Sequence, residues 1–308
     1  MGHTNALTRV WFLEEANYAG GHAGDEYEMA HPTAADALTS VNVLSGNGKY
    51  KGKEFKRARW TAPGIALGKG LVFNKTVEFP EIEFTYALQG TADPFLTAAN
   101  PAATAKGTVG KSYIMQIAVP DETEGVALKY YCLFGCQITS YSVDGSFDTD
   151  TPPLVTVKFS CYDLAVNTGT VQTGVWPVGT VDEWENMVVT LDSDAITELS
   201  KFTLTVTLEY NDIKVGGSGT FAKVKPMIND QKLEYKVSYF VDTADLLVRT
   251  FVEALVPFPV IWTDGTQILT VTNCYVDTDN YLEVDNKNIN VMEYESTIMS
   301  GDSAFTVS

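Results

Sequence analysis

Apolar and polar residues alternate one by one along much of the chain. In Phe202–Tyr210, Phe202, Leu204, Val206 and Leu208 fall on one side and Thr203, Thr205, Thr207 and Glu209 on the other. That period of two marks a half-buried strand. Leu154–Tyr162 repeats it, with Val155, Val157, Phe159 and Cys161 set against Thr156, Lys158 and Ser160. Further runs rich in Val, Ile, Thr, Tyr and Phe are VEFPEIEFTYAL, SYIMQIAVP, LKYYCLFGCQITSYSV, KLEYKVSYFV, QILTVTNCYV and NINVMEYESTI. These residues suit a pleated surface.

Helical spacing is rare. Asp242 can cap a helix whose stripe is Ala244, Leu247, Phe251 and Ala254, with Asp245 near its positive end and Pro257 at its close. A shorter helix is predicted to start at Asp93. It has Pro94 in the first helical position, Phe95, Leu96, Ala98 and Ala99 behind it, and Pro101 as its limit.

These elements recur in the same order. FTYALQGTADPFL (84–96) aligns with VSYFVDTADLLV (237–248) across a one-residue gap, placing Thr91-Ala92-Asp93 against Thr243-Ala244-Asp245, 152 residues on. After the first helix come SYIMQIAVP, LFGCQITSYSV and LVTVKFSCY. After the second come PVIWTDG, TVTNCYVDTDNYLEV and INVMEYESTI, with Cys136 and Cys274 in similar places 138 apart. The predicted fold is therefore mainly β, two duplicated sandwich- or barrel-like units, each with one flanking α-helix. The expected organisation is an N-terminal arm and loop region over 1–52, a first β domain over 53–170, a linker over 171–184 and a second β domain over 185–308. The Gly- and Thr-rich stretch 165–183 marks the boundary.

Charge narrows the function. Lys plus Arg is 21 and Asp plus Glu is 39, a net −18, which argues against a protein that grips phosphates or an anionic membrane surface. No apolar run approaches the roughly 20 residues of a spanning helix, and the N-terminal residues lack the basic and apolar regions of a signal peptide. The charge is unevenly placed. Lys49, Lys51, Lys53, Lys56, Arg57 and Arg59 put six bases in eleven positions, while 242–308 holds eleven acids and two bases. Either these are two solvated surfaces, or they are complementary patches that dock copies of the chain together.

Motifs for catalysis are lacking. Cys132 and Cys136, four apart on one predicted strand, share a face about 13 Å apart, too far for a metal or a disulfide without a bend at Gly135. They read as buried thiols. His3, His22 and His31 match no common zinc spacing and read as part of a solvated arm. Gly216-Gly217-Ser218-Gly219 lies between strands and reads as a loop, not a phosphate cradle. Same-face carboxylates such as Glu81 and Glu83, or Glu293 and Glu295, have the residue types of a glycosidase, but 39 acids produce such pairs by chance. No enzyme activity, cofactor or metal site is predicted.

The segment FTYALQGTADPFL followed by FGCQITSYSV and VTVKFSCYDL resembles the tail tube proteins of long-tailed phages and related viruses. Gly135-Cys136-Gln137-Ile138-Thr139-Ser140 is similar to a short gc-x-i-x-s strand of that family. The likeness covers most of 60–165 and, through the repeat, much of 185–308. It implies a β-sandwich with a flanking helix, whose sheets join those of neighbouring subunits into an inner barrel, and rings that stack through long loops. Fused double members make a pseudo-sixfold ring from three chains, although a hexamer stays open. The implied setting is the virion, after synthesis in the host cytoplasm. Implied partners are copies of the chain and tape measure, tail terminator and baseplate proteins, with viral DNA passing through unbound. Acids such as Glu293 and Glu295 would then face the lumen, and the six bases of 49–59 would serve self-assembly. Another β-sandwich module of a baseplate, capsid decoration or adhesion protein is the alternative.

Overall fold

A computed structural model describes residues 9–21, 24–33, 36, 38–42, 48–60, 71–88, 93–100, 106–120, 128–146, 151–167, 184–196, 199–211, 214–217, 220–223, 226–240, 256–283, 293–300 and 306–307. The predicted helix that starts at Asp242 and most of the predicted linker lie outside these residues.

The first ten strands are β1 (Arg9–Glu14), β2 (Thr39–Asn42), β3 (Lys49–Lys51), β4 (Glu54–Trp60), β5 (Leu71–Glu78), β6 (Glu81–Ala87), β7 (Tyr113–Pro120), β8 (Leu128–Ser146), β9 (Leu154–Ser160) and β10 (Asp163–Asn167). Helix α1 (Pro94–Ala99) lies between β6 and β7. The next ten are β11 (Val188–Leu191), β12 (Asp194–Ala195), β13 (Leu199–Asn211), β14 (Lys214–Gly217), β15 (Thr220–Lys223), β16 (Met227–Phe240), β17 (Phe258–Thr263), β18 (Ile268–Glu283), β19 (Glu293–Ser300) and β20 (Thr306–Val307). The architecture is mainly β, as expected: sixteen strands form one continuous sheet, and β4–β5 and β14–β15 stand apart as two-stranded ribbons. The Gly216-Gly217-Ser218-Gly219 segment belongs to the second ribbon, where Gly217 pairs with Thr220.

The described strands pair antiparallel throughout, and the pairings follow one plan twice. Among the described residues β1 pairs with β2 and β7, β3 with β6, β4 with β5, β6 with β9, and β8 with β7, β9 and β10. Adding ten to each label gives the pairings of the second half. The row Tyr50–Ile82–Phe159–Ile138 across β3, β6, β9 and β8 corresponds to Leu204–Tyr235–Ile298–Val276 across β13, β16, β19 and β18. One further ladder, β8 with β13, joins the halves.

Burial follows the alternation that the sequence predicts. On β13 Phe202, Leu204, Val206 and Leu208 are buried, and on β9 so are Val155, Val157 and Phe159. Apolar side chains from both halves merge into one core. Helix α1 begins where expected, with Asp93 accepting hydrogen bonds from the Phe95 and Leu96 amides at 2.8 and 3.2 Å and Pro94 in the first turn. Its buried Phe95 is the aromatic centre of the first half. That ring lies 4.6 Å from Phe12, 5.3 Å from Phe159, 5.8 Å from Tyr113 and 6.0 Å from Phe84. Strands β1 and β7 are thereby packed against β6 and β9 through one side chain.

Two expectations change in detail. Cys132 and Cys136 do not share a face. Gly135 has φ +60°, and the β7–β8 register shifts between Tyr113 and Met115, so Cys132 enters a small cluster with Phe134 and Ile114 while Cys136 enters the main core. One extra residue in a strand inverts the alternation beyond it. Both remain buried thiols, as do Cys161 and Cys274. The stretch read as an arm also takes part in the fold. It supplies β1 and β2 to the sheet, and Tyr18 and Ala19 are buried in the small cluster.

Candidate functional site

The four-strand rows have two unlike faces. Rows such as Phe84–Val157–Tyr141 point into the core, and the rows between them carry Ser, Thr and charged residues. Along this polar face Thr85 and Thr156 hydroxyls lie 2.9 Å apart, Thr203 donates to Asp144 at 3.0 Å, and Thr205 reaches Ser142 at 3.5 Å. The last two contacts cross the β8–β13 ladder, so the face continues from one half into the other.

That ladder explains how a strand can serve two neighbours. Over Ser140–Asp144, β8 has β9 on one edge and β13 on the other. Its counterpart β18 has β19 along Val276–Glu283, and no second strand pairs with that stretch among the described residues. Among the described residues β3 pairs with β6 only, whereas its counterpart β13 lies between β16 and β8. β3 and this stretch of β18 are thus open edges among the described residues, alongside those of β2, β10, β12 and β20. Unpaired edges are templates for another strand.

The predicted basic residues border one of those edges. Lys49 pairs with Glu83 at 2.9 Å, Lys51 with Glu78 at 2.7 Å and Lys53 with Asp163 at 2.9 Å, and Lys56 also contacts Glu78. The hydrogen bond from Lys51, joined by that from Lys56, lowers the Glu78 pKa to about 2. Arg59 is exposed, and the Arg57 side chain lies outside the described ones. Tyr50, between Lys49 and Lys51, keeps 38% of its surface exposed, while burial of its remainder pushes its hydroxyl up to about 12.

Glu293 and Glu295 lie on β19, opposite Phe240 and Ser238 of β16. By register Glu295 takes the place of Thr156 in the first half; the side chains of both glutamates lie outside the described ones. His3 and His22 lie outside the described residues, and exposed His31 packs its ring edge-on to Phe134 at 5.4 Å. Among the described residues no group of three or more His, Cys, Asp or Glu side chains is placed to hold a metal ion.

No protein-family model matches the chain. No curated protein matches it either. Solved structures similar to it include a chain from the virion of a native gene transfer agent particle, 12% identical with a TM-score of 0.35, matched over 42% of this chain and 99% of that one. Another is a chain of the anti-feeding prophage cap, which terminates a tube, 14% identical with a TM-score of 0.32 over 46% of this chain and 95% of that one.

Two polar anchors go beyond the sequence reading. Glu15 is buried, and its carboxylate accepts from the amides of Ala19, Gly21 and Gly135, pinning the loop after β1 to the bend in β8. Burial raises its pKa, against those hydrogen bonds. Asp93 is the second anchor. Besides capping α1, it accepts from the Tyr86 hydroxyl at 2.7 Å, while its own amide donates to Gln267 at 2.8 Å. Gln267 in turn donates to Asp264 at 2.9 Å. The start of α1 is thus tied to the β17–β18 turn of the second half, and burial raises the Asp93 pKa to about 6. Asp93 was legible as a helix cap; Gln267, 174 residues away, carries no local signal.

Proposed function

We propose that this chain is a structural virion protein, a duplicated subunit that assembles with copies of itself into rings, and that the rings stack into the hollow tail tube of a tailed virus or virus-like particle. The observation that carries this reading is the pairing plan: ten strands, then the same ten-strand plan again, joined by one β8–β13 ladder. A unit that joins itself once within a chain, and leaves the same two kinds of edge open at the ends, is suited to repeat the joint between chains. A head-to-tail contact that closes gives a ring. Strands β3, β6, β9 and β8 with β13, β16, β19 and β18 supply eight strands of a common wall, and three chains supply twenty-four. Strands about 4.8 Å apart, tilted by about 40°, then enclose about 45–50 Å between backbones.

The polar face lines the channel in this account. Three of its lysines meet carboxylates, Lys49 with Glu83, Lys158 with Glu81 and Lys232 with Glu209. A wall without excess positive charge gives DNA phosphates no electrostatic hold. The ribbons β4–β5 and β14–β15, outside the wall, are the elements proposed to reach the adjacent ring. Tape measure, terminator and baseplate proteins are proposed as the partners at the tube's interior and ends. Sedimentation velocity over rising concentration tests the assembly step. Discrete oligomers that grow into larger species support it, and a monomer throughout overturns it.

A further inference from the structure

We propose that the open edge of β18 pairs antiparallel with β3 of a second copy of the chain, in the register of the internal β8–β13 ladder. The inference rests on the ring assembly proposed above and names the joint that closes it. Within the chain, Leu204 stands opposite Val143 and Thr205 opposite Ser142. Leu204 corresponds to Tyr50 and Thr205 to Lys51, through the shared rows across β6 and β16. Ser142 corresponds to Asn280, since Thr156 pairs with Ser142 where Glu295 pairs with Asn280. Carrying the ladder over therefore sets Tyr50 of one copy opposite Tyr281 of the next, and Lys51 opposite Asn280.

Burial agrees with this register, and charge agrees with the pairing of these two edges. Leu204 and Val143 are 0% and 1% exposed in the internal joint, whereas Tyr50 holds the equivalent place at 38%. A neighbouring strand would cover it, and an aromatic pair across strands is a favourable contact. Residues 276–283 carry Asp277, Asp279 and Glu283 and no base, while 49–57 carry five bases and one acid. In the internal joint Thr203 and Thr205 hold the places of Lys49 and Lys51, opposite Asp144 and Ser142. Opposite charge at the outer joint steers chain to chain and discourages the reverse pairing.

Directly opposed antiparallel residues have Cα atoms about 4.5–5.5 Å apart, within disulfide range. Lys51→Cys and Asn280→Cys proteins, each a single variant, are mixed, assembled and oxidised; the native cysteines are buried. The expected product is a covalent dimer of one copy of each. The double variant should give a ladder ending at three chains. Pairing Lys51→Cys with Tyr281→Cys, which sit on opposite faces, should give at least tenfold less product. Ser142→Cys with Thr205→Cys should link within one chain without a gain in mass. Rings that form without the Lys51–Asn280 link, or with a link only inside a chain, overturn the joint and leave the assembly reading standing. Absence of rings in wild-type protein overturns that reading itself.

Discussion

Tyr113 stands directly opposite Cys136 across the β7–β8 ladder, and the register slips by one residue before Met115 meets Leu133. In the second half Phe258 stands opposite Cys274, and after the same slip Val260 meets Val271. A second slip follows on the other edge, between Ile138 and Ser140 on β8 and between Val276 and Thr278 on β18. Bulges bend a strand and re-aim its side chains. Two bulges at corresponding points give the long strands β8 and β18 the same bends, so each unit presents its edges in the same way.

Gly135→Ala tests the first bend. The backbone there has φ +60°, and a Cβ would meet the Tyr162 Cβ at 2.8 Å. Strain of this kind costs about 1–3 kcal/mol, and the shifted backbone would weaken the amide bond to Glu15. A lower urea midpoint with faster proteolysis in the loop after β1 is expected. An unchanged midpoint would contradict the assignment.

Phe95→Ala removes the ring on which β1, β6, β7 and β9 converge. Truncating a buried Phe costs about 3–5 kcal/mol. Replacing exposed Ile268 by Thr should cost about 0.5 kcal/mol or less. Equal losses from the two substitutions in denaturant titrations would show that Phe95 is not a centre of the core.

Asp93 gives the stability a pH dependence of defined sign. Its folded pKa, about 6, lies above the ordinary 3.8. Below about pH 4 the carboxyl is protonated in both states and contributes no pH dependence. As pH rises from 4 to 6 the unfolded chain ionises first, so folding loses about 3 kcal/mol, and the loss is complete above 6. Asp93→Asn, which cannot ionise, should flatten this slope. A slope equal to wild type would assign it to other groups.

Reversing the basic segment probes docking between copies. Protein with Lys51→Glu, Arg57→Glu and Arg59→Glu, mixed with wild type, should enter common oligomers at least tenfold less than a wild-type tracer. The deficit should shrink in high salt. Unchanged co-assembly would leave these side chains as solvated surface.

Much of the fold was legible because strand alternation is local. The Thr-Ala-Asp repeat at 91–93 and 243–245 exposed the order strand, helix, three strands in the first half and the matching strands of the second, whose predicted helix lies outside the described residues. Its one-residue gap agrees with the register, in which Ile82 corresponds to Tyr235. The match of β1 with β11 was hidden, since RVWFLE and VVTL share little beyond alternation. Gly135 was legible as a place where β8 could bend, but the register shift beside it was hidden, because a bulge adds a residue without changing composition. The open edges could not be read, as an edge is defined by which strand fails to arrive. The link from Asp93 to Gln267 joins distant segments through one amide.

The central claim is that two units in one chain stand for two places in a ring. Native mass spectrometry of isolated rings, with class averages from electron microscopy of the same sample, measures it directly. The account predicts three copies of the 33.6 kDa chain per ring and six lobes around the channel. Six copies per ring, or a monomer at every concentration, would contradict it.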